Sequence, residues 1–266
     1  MSKSIDREGP MLLFRAILLT LFVSLPAHAS VIALEDSVFE LSVDVKTLLL
    51  KYYHVQADEG NTQRIAELLQ KREEVARDQA RLTAQLDQRY SAYRQNIGEH
   101  WTSFDALLDQ NINEIRESNY PELQVVTLMR EAQRGMLSEL ERLSDAILSD
   151  NETHISQFED WQRTQKNLML TVVERYIERA ASSMGAPLTI DEVDIGVLCK
   201  QFDRGIEELT GKLAAPEART ILNKIRSQWL FIETAATNDE ARLVPFLVMR
   251  YTDTILGRID QLETFI

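Results

Sequence analysis

The stretch Val248–Leu262, VMRYTDTILGRIDQL, decides the fold prediction because its apolar residues recur at steps of three and four. Such spacing places apolar side chains along one buried stripe of a helix. The segment Met129–Leu143, MREAQRGMLSELERL, repeats the same phase about 119 positions earlier. An Ile-x-x-x-Trp pattern precedes each stretch, at Ile97–Trp101 and at Ile225–Trp229. The sequence therefore predicts an internal repeat, in which one helical unit occurs twice.

The composition of the 266-residue chain favours helices, because it contains only 9 Gly and 6 Pro. Residues of high helix propensity dominate, and alternation of β-branched residues is almost absent. The sequence therefore predicts an all-α protein of two tandem antiparallel helical bundles, of the four-helix-bundle type, with long coiled-coil-like helices. The repeat places a first, more divergent bundle at 30–150 and a second at 151–266.

The N-terminal 29 residues have the features of a secretory leader. Basic residues supply positive charge, Ala16–Leu25 forms an apolar core, and Pro26–Ala29 contains a small-x-small cleavage pattern. We expect a signal peptide at 1–29 and a mature chain that is soluble and periplasmic. An uncleaved membrane anchor is the alternative, although the apolar run is shorter than the roughly 20 residues that a spanning helix needs.

Charge and cysteine content exclude several classes of function. The net charge of −13 argues against nucleic acid and anionic membrane surfaces as partners. The single cysteine, Cys199, cannot form an internal disulfide and lies in an apolar helical pattern. We expect it to be a small buried hydrophobic residue; a thiol that pairs between two chains is the alternative.

Capping residues and a seven-residue repeat organise the first unit. One helix is expected through Val38–Tyr52, capped by Asp36 or Ser37, and it is expected to end at Ala57–Gly60. Asn61 is expected to cap a very long second helix. Within that helix a coiled-coil-like row recurs every seven residues at Leu68, Val75 and Leu82.

The other predicted boundaries rest on Gly, Pro and capping residues. In the first unit they are a kink or break at Gly98, a stop at Asn119–Pro121 and a helix that begins at Pro121. In the second unit they are a cap at Ser149 or Asn151, a loop at Ser182–Pro187, a capping box at Thr189–Glu192, a helix start at Pro216, and a final helix Asp239–Ile266 kinked by Pro245.

Four short patterns follow one another in the second unit. They are Met169-Leu170-Thr171, Phe202-Asp-x-x-Ile206-x-x-Leu209, Ile225-x-x-x-Trp229 and the closing stretch Val248–Leu262. In this order they resemble the PilJ-type domain, the N-terminal sensor domain of type IV pilus methyl-accepting chemotaxis transducers, which is similar to nitrate/nitrite sensor bundles. The resemblance covers Asn151–Ile266 and implies a ligand-sensing helical bundle.

The resemblance also implies a ligand site beside Met169 and Thr171. In the family, arginines flank this segment, and their guanidinium groups are suited to binding an oxyanion through two hydrogen bonds. Leu168 and Val173 stand at those places in this chain, so the family's anion is not what this sequence predicts.

Two basic residues near the motif are candidates to replace the missing arginines. Lys166 and Arg175 lie within about one turn of it, and a solvated helix face is the alternative for both. Trp229 matches Trp101 of the first unit, and the pair could either wall a pocket or fill the core. The candidate ligand-binding residues are therefore Lys166, Met169, Thr171, Arg175 and Trp229.

The sequence offers no support for catalysis, a metal or a cofactor. The histidines of the mature chain, His54, His100 and His154, are far apart and have no metal-ligand spacing. There is also no phosphate-binding Gly loop, no Gly-x-Ser-x-Gly elbow and no Cys-x-x-Cys motif.

We therefore expect a non-catalytic, sensor-like periplasmic protein that binds a small ligand, a membrane receptor or a pilus/chemotaxis component. A structural or adaptor protein of the cell envelope, with a coiled-coil helix that pairs in a homodimer or with another chain, is the alternative. An enzyme is the third possibility.

Overall fold

A computed structural model describes residues 25–182, 194–238 and 242–265, and within these ranges the chain is helical and contains no β-strand. Its helices are α1 (Leu25–Ala57), α2 (Thr62–Gln85), α3 (Ser91–Ser118), α4 (Leu123–Asp150), α5 (Gln157–Ala181), α6 (Ile195–Lys212), α7 (Pro216–Thr237) and α8 (Pro245–Gln261). Short 3₁₀ helices lie at Gln88–Tyr90 and Leu262–Phe265. The all-α prediction is confirmed. None of the described helices has the length and hydropathy needed to cross a bilayer. Residues 1–24 of the predicted leader lie outside the described ranges.

Helix α1 contacts both halves of the chain, because it packs against α2 and α4 of the first half and against α5 of the second. Three consecutive residues, Leu48, Leu49 and Leu50, are buried. Since consecutive positions differ by about 100° around a helix, neighbouring helices must cover most of its circumference. The predicted cap at Asp36 or Ser37 is wrong, because α1 begins at Leu25.

The connection from α1 to α2 follows the sequence prediction. The chain leaves α1 after Ala57, and Gly60 adopts a φ of 74°, which favours glycine. Asn61 caps α2, since its side chain accepts hydrogen bonds from the backbone N–H groups of Gln63 and Arg64. The row Leu68, Val75 and Leu82 is buried, and α2 packs along α1.

The predicted very long second helix is interrupted at a place that the sequence analysis missed. α2 ends at Gln85, and Asp87 caps the 3₁₀ turn by accepting a hydrogen bond from the N–H of Arg89 at 2.9 Å. Leu86 and Tyr90 are both buried, so the bend places two large side chains in the core. The predicted break at Gly98 is wrong, because α3 continues through it.

Asn119 and Pro216 end and begin helices as predicted. Asn119 has a φ of 63° after α3, and Pro216 is the first residue of α7. Pro121 precedes α4 by two residues, because Glu122 takes the capping position. Pro245 begins α8 and does not kink it, which agrees with the absence of an N–H on proline.

The start of α5 differs from its prediction. Ser156, and neither Ser149 nor Asn151, caps this helix, through a capping box with Glu159. Ser149 and Asn151 belong to the end of α4 instead. Ser149 lies within that helix, and the side-chain amide of Asn151 donates to the carbonyl oxygen of Ile147 at 2.7 Å. The capping box predicted at Thr189–Glu192, and all of the predicted loop except Ser182, lie outside the described residues.

The repeat predicted from the sequence has a counterpart in burial. Equivalent positions of α4 and of the segment from α8 to the last 3₁₀ turn are buried in pairs: Met129 and Val248, Met136 and Ile255, Leu140 and Ile259, Leu143 and Leu262. A buried polar pair, Gln133 and Thr252, falls in the same register. The two stretches therefore bury the same helical face, and α4 packs on α3 as α8 packs on α7.

Candidate functional site

Two of the five residues proposed from the sequence are part of the packing between helices. Lys166 is 2% exposed, and its Nζ lies 2.8 Å from a carboxylate oxygen of Glu40 and 2.8 Å from one of Asp260. Burial lowers the pKa of Lys166, but the two carboxylates outweigh it, so the pKa is raised. Lys166 thus joins α5 to α1 and α8, and Met169 is buried in the core.

The other three residues also make contacts within the bundle. Thr171 donates its hydroxyl to the carbonyl oxygen of Asn167 at 2.9 Å, and Arg175 lies 3.7 Å from a carboxylate oxygen of Glu178. Trp229 is 1% exposed and stacks on Phe202 with ring centroids 4.0 Å apart. Trp229 therefore fills the core. In the described part of the chain, none of the five residues lines the cavities of about 740, 450 and 240 Å³.

A groove between α5 and α6 is a better candidate site. Its volume is about 740 Å³, which lies within the usual range for small-molecule pockets, about 300–1,000 Å³. Its apolar lining comes from the first half of α5, the end of α6 and the last 3₁₀ turn: Phe158, Trp161, Leu168, Leu209, Leu213 and Phe265. We call it the α5–α6 groove.

Two aromatic side chains form one wall of the α5–α6 groove. Phe158 and Trp161 stack with ring centroids 5.6 Å apart and an interplanar angle of 18°. The indole Nε1 of Trp161 donates to the backbone oxygen of Gly205 at 2.8 Å, which joins α5 to α6. Because this hydrogen bond satisfies the polar end of the indole, the ring presents its apolar surface to the groove.

A buried amide without hydrogen bonds lies in the α5–α6 groove. Gln165 is 2% exposed, and within the described residues neither its Oε1 nor its Nε2 makes a hydrogen bond. Gly205 makes room for it, because a Cβ at position 205 would collide with the amide of Gln165. A buried polar group without a partner lowers the stability of a protein by about 1–3 kcal/mol. A ligand that hydrogen-bonds to this amide would offset that cost.

The charged residues of the α5–α6 groove balance each other. Arg204 and Lys212 contribute two positive charges, and Asp160 and Glu208 contribute two negative charges. The groove therefore has no net preference for an anion or a cation. Its aromatic wall and its one buried unpaired amide, that of Gln165, instead suit an uncharged molecule that is mostly apolar and carries a hydrogen-bonding group.

Cys199 is buried and does not line the α5–α6 groove. Burial raises the pKa of Cys199 to about 12, and the buried thiol was predicted from the sequence. Within the described ranges, no group of three or more His, Cys, Asp or Glu residues is placed to hold a metal ion.

Comparisons with protein-family models, with curated proteins and with solved structures find no match for this chain. The resemblance to the PilJ-type domain therefore stays a hypothesis, and the candidate site rests on geometry alone. Phe158, Trp161 and Leu168 are apolar residues at helical spacing, which is the usual pattern of a buried stripe, but all three are only partly buried. Gly205, at the centre of a helical pattern, was the available signal that something approaches α6 closely.

Proposed function

We propose that this protein is a non-catalytic, sensor-like binding protein whose α5–α6 groove takes up a small, uncharged, largely apolar molecule. The observation that carries this proposal is the unpaired amide of Gln165 in a groove walled by stacked aromatic rings. A ligand that hydrogen-bonds to this amide offsets a cost that the free protein bears. The apolar part of the ligand makes binding more favourable, because it covers the rings of Phe158 and Trp161 and removes apolar surface from water.

The position of the groove offers a route from binding to signalling. α5 contributes one wall of the groove, and the same helix packs against α1, α7 and α8. A ligand that binds more tightly to one arrangement of α5 and α6 shifts the population toward that arrangement. The helices that pack on α5 would transmit this shift to a receptor. Export to the periplasm and a pilus/chemotaxis partner belong to this proposal and rest on the sequence analysis.

The adaptor hypothesis depended on a coiled-coil row in α2. The row Leu68, Val75 and Leu82 is buried within this chain, where α2 packs along α1. A second coiled coil cannot use the same side chains without separating these helices. We therefore prefer the ligand-binding function.

Thermal unfolding of the intact protein with a library of uncharged aromatic fragments, such as indole and 2-naphthol, tests the proposal. We expect at least one fragment to raise Tm by several degrees and to change the fluorescence of Trp161. Gln165→Leu should abolish this stabilisation because it removes the amide. Gly205→Ala should reduce it because the new Cβ displaces that amide.

Gly211→Ala is the matched control, since it lies on the same helix and its added Cβ would meet no atom within 4 Å. It should bind the fragments like the original protein. Fragment binding that Gln165→Leu leaves unchanged, or a library without a single stabilising fragment, would show that the groove is not the binding site.

A further inference from the structure

A second cavity lies on the opposite side of α5, between α1, α4 and α5, with a volume of about 450 Å³. We call it the α1–α4–α5 cleft. Its charged lining residues are Lys46, Arg134, Glu141 and Arg163, and the guanidinium of Arg163 is paired with Glu35 and Asp36.

Lys46 is the unusual group in the α1–α4–α5 cleft. Its Nζ donates to Oδ1 of Asn167 at 2.8 Å, and no carboxylate of the described residues forms an ion pair with it. Burial lowers the pKa of Lys46, and the more distant Glu174 and Glu141 only partly oppose this effect. The lysine therefore bears a desolvation cost that the neighbouring carboxylates offset only in part.

Other lysines that pack between helices in this protein do have carboxylate partners. Lys166 pairs with Glu40 and Asp260, and Lys71 lies 2.6 Å from Asp44. Lys46 differs from both because it faces a cavity that can admit a solute. The partner that is missing from the protein can therefore come from solution.

Hydrogen-bond donors line the cleft together with Lys46. The hydroxyl of Ser138 and the Nδ2 of Asn167 make no hydrogen bond within the part of the chain that the structure describes. The guanidinium of Arg163, in contrast, already binds both carboxylate oxygens of Glu35.

We propose that the α1–α4–α5 cleft is a second binding site, for a small oxyanion such as phosphate or a short carboxylate. Lys46 supplies the positive charge, while Asn167 and Ser138 supply neutral donors. The anion takes the place of the missing carboxylate and so favours the charged form of Lys46. This site is independent of the α5–α6 groove, because no residue lines both cavities.

Isothermal titration of the intact protein with sodium phosphate and with sodium succinate, each against sodium chloride at the same ionic strength, tests the inference. We expect saturable binding of one oxyanion in excess of chloride. Phosphate and succinate distinguish an inorganic from an organic ligand. Lys46→Met should weaken the binding about tenfold or more, because it removes a charged hydrogen-bond donor.

Lys224→Met is the matched control, since Lys224 is exposed on α7. This variant should bind the oxyanion with the same affinity as the original protein. Lys46→Arg keeps the charge and should retain most of the affinity. Lys46→Met should fold at least as well as the original protein in buffer without the oxyanion, because it removes a desolvated charge. Fragment binding in the α5–α6 groove should be the same in Lys46→Met.

Two results would overturn the inference. One is equal binding of the oxyanions and chloride. The other is oxyanion binding to Lys46→Met with unchanged affinity while circular dichroism shows the same helical fold. Neither result bears on the proposed function, whose readout is fragment binding to Gln165 on the other side of α5.

Discussion

At the scale of single residues, His54 gives the protein a pH dependence that can be measured. It is 6% exposed near the end of α1, and burial lowers its pKa from 6.5 to about 4, with a further contribution from Arg64. The unfolded chain therefore binds more protons than the folded protein between these values. Stability that is present above pH about 6.5 should be lost as the pH falls to about 4.

Urea unfolding at pH 7.5 and at pH 4.5 measures this loss. Carboxylates also titrate in this range, so the comparison is made with His54→Gln, which is neutral at both pH values. The original protein should lose about 2 kcal/mol more than the variant. Equal losses for both proteins would mean that His54 does not control this part of the pH dependence.

The candidate binding residues are the part that the sequence could not predict. Gln165 and Lys46 stand in helical patterns like those of many solvated polar residues, and nothing local marks them. Within the described residues, Gln165 differs from them because its amide has no hydrogen-bonding partner, and Lys46 differs because no carboxylate forms an ion pair with it. These properties depend on how α1, α4, α5 and α6 pack, which a single sequence does not specify.

At the scale of helices, two glycines should respond in opposite ways to substitution by alanine. An added Cβ at Gly98 in α3 would meet no atom within 4 Å, whereas one at Gly135 in α4 would collide with the imidazole of His100. Gly98→Ala should therefore raise the free energy of unfolding by up to about 1 kcal/mol, through helix propensity. Gly135→Ala should lower it, because α3 and α4 must separate or His100 must move.

Denaturant unfolding of the two variants provides the measurement, and each serves as the control for the other. A similar stabilisation by both substitutions would contradict the close packing of His100 on Gly135. In that case the α3–α4 contact would tolerate an additional methyl group.

Helix boundaries show which elements can be predicted from the sequence. Asn61 and Asn119 act through their own backbone neighbourhood, so local rules place these boundaries correctly. The break at Leu86–Tyr90 has no Gly or Pro, and it is decided by the burial of Leu86 and Tyr90 against distant residues. The cap at Ser156 was not predicted for a related reason. Because α4 extends as far as Asp150, the predicted caps Ser149 and Asn151 lie at the end of α4 and cannot begin α5.

At the scale of the whole molecule, α1 joins the two predicted units through a buried ion pair. Glu35 of α1 is fully buried, and both of its carboxylate oxygens accept hydrogen bonds from Arg163 of α5. Ser144 of α4 donates to the same carboxylate at 2.6 Å. One carboxylate thus connects three helices from both sides of the predicted boundary at residue 150.

Arg163→Met should destabilise the protein by about 3–5 kcal/mol, because it leaves the buried carboxylate of Glu35 without its cation. Arg226→Met is the matched control: Arg226 pairs with Glu207 at 3.0 Å on the surface, and its loss should cost less than about 1 kcal/mol. Since α1 packs on both halves, Arg163→Met should still unfold in one transition, followed by circular dichroism and tryptophan fluorescence. If circular dichroism and fluorescence instead report two separate unfolding transitions, the halves are independent domains, and the packing of α1 stabilises only one of them.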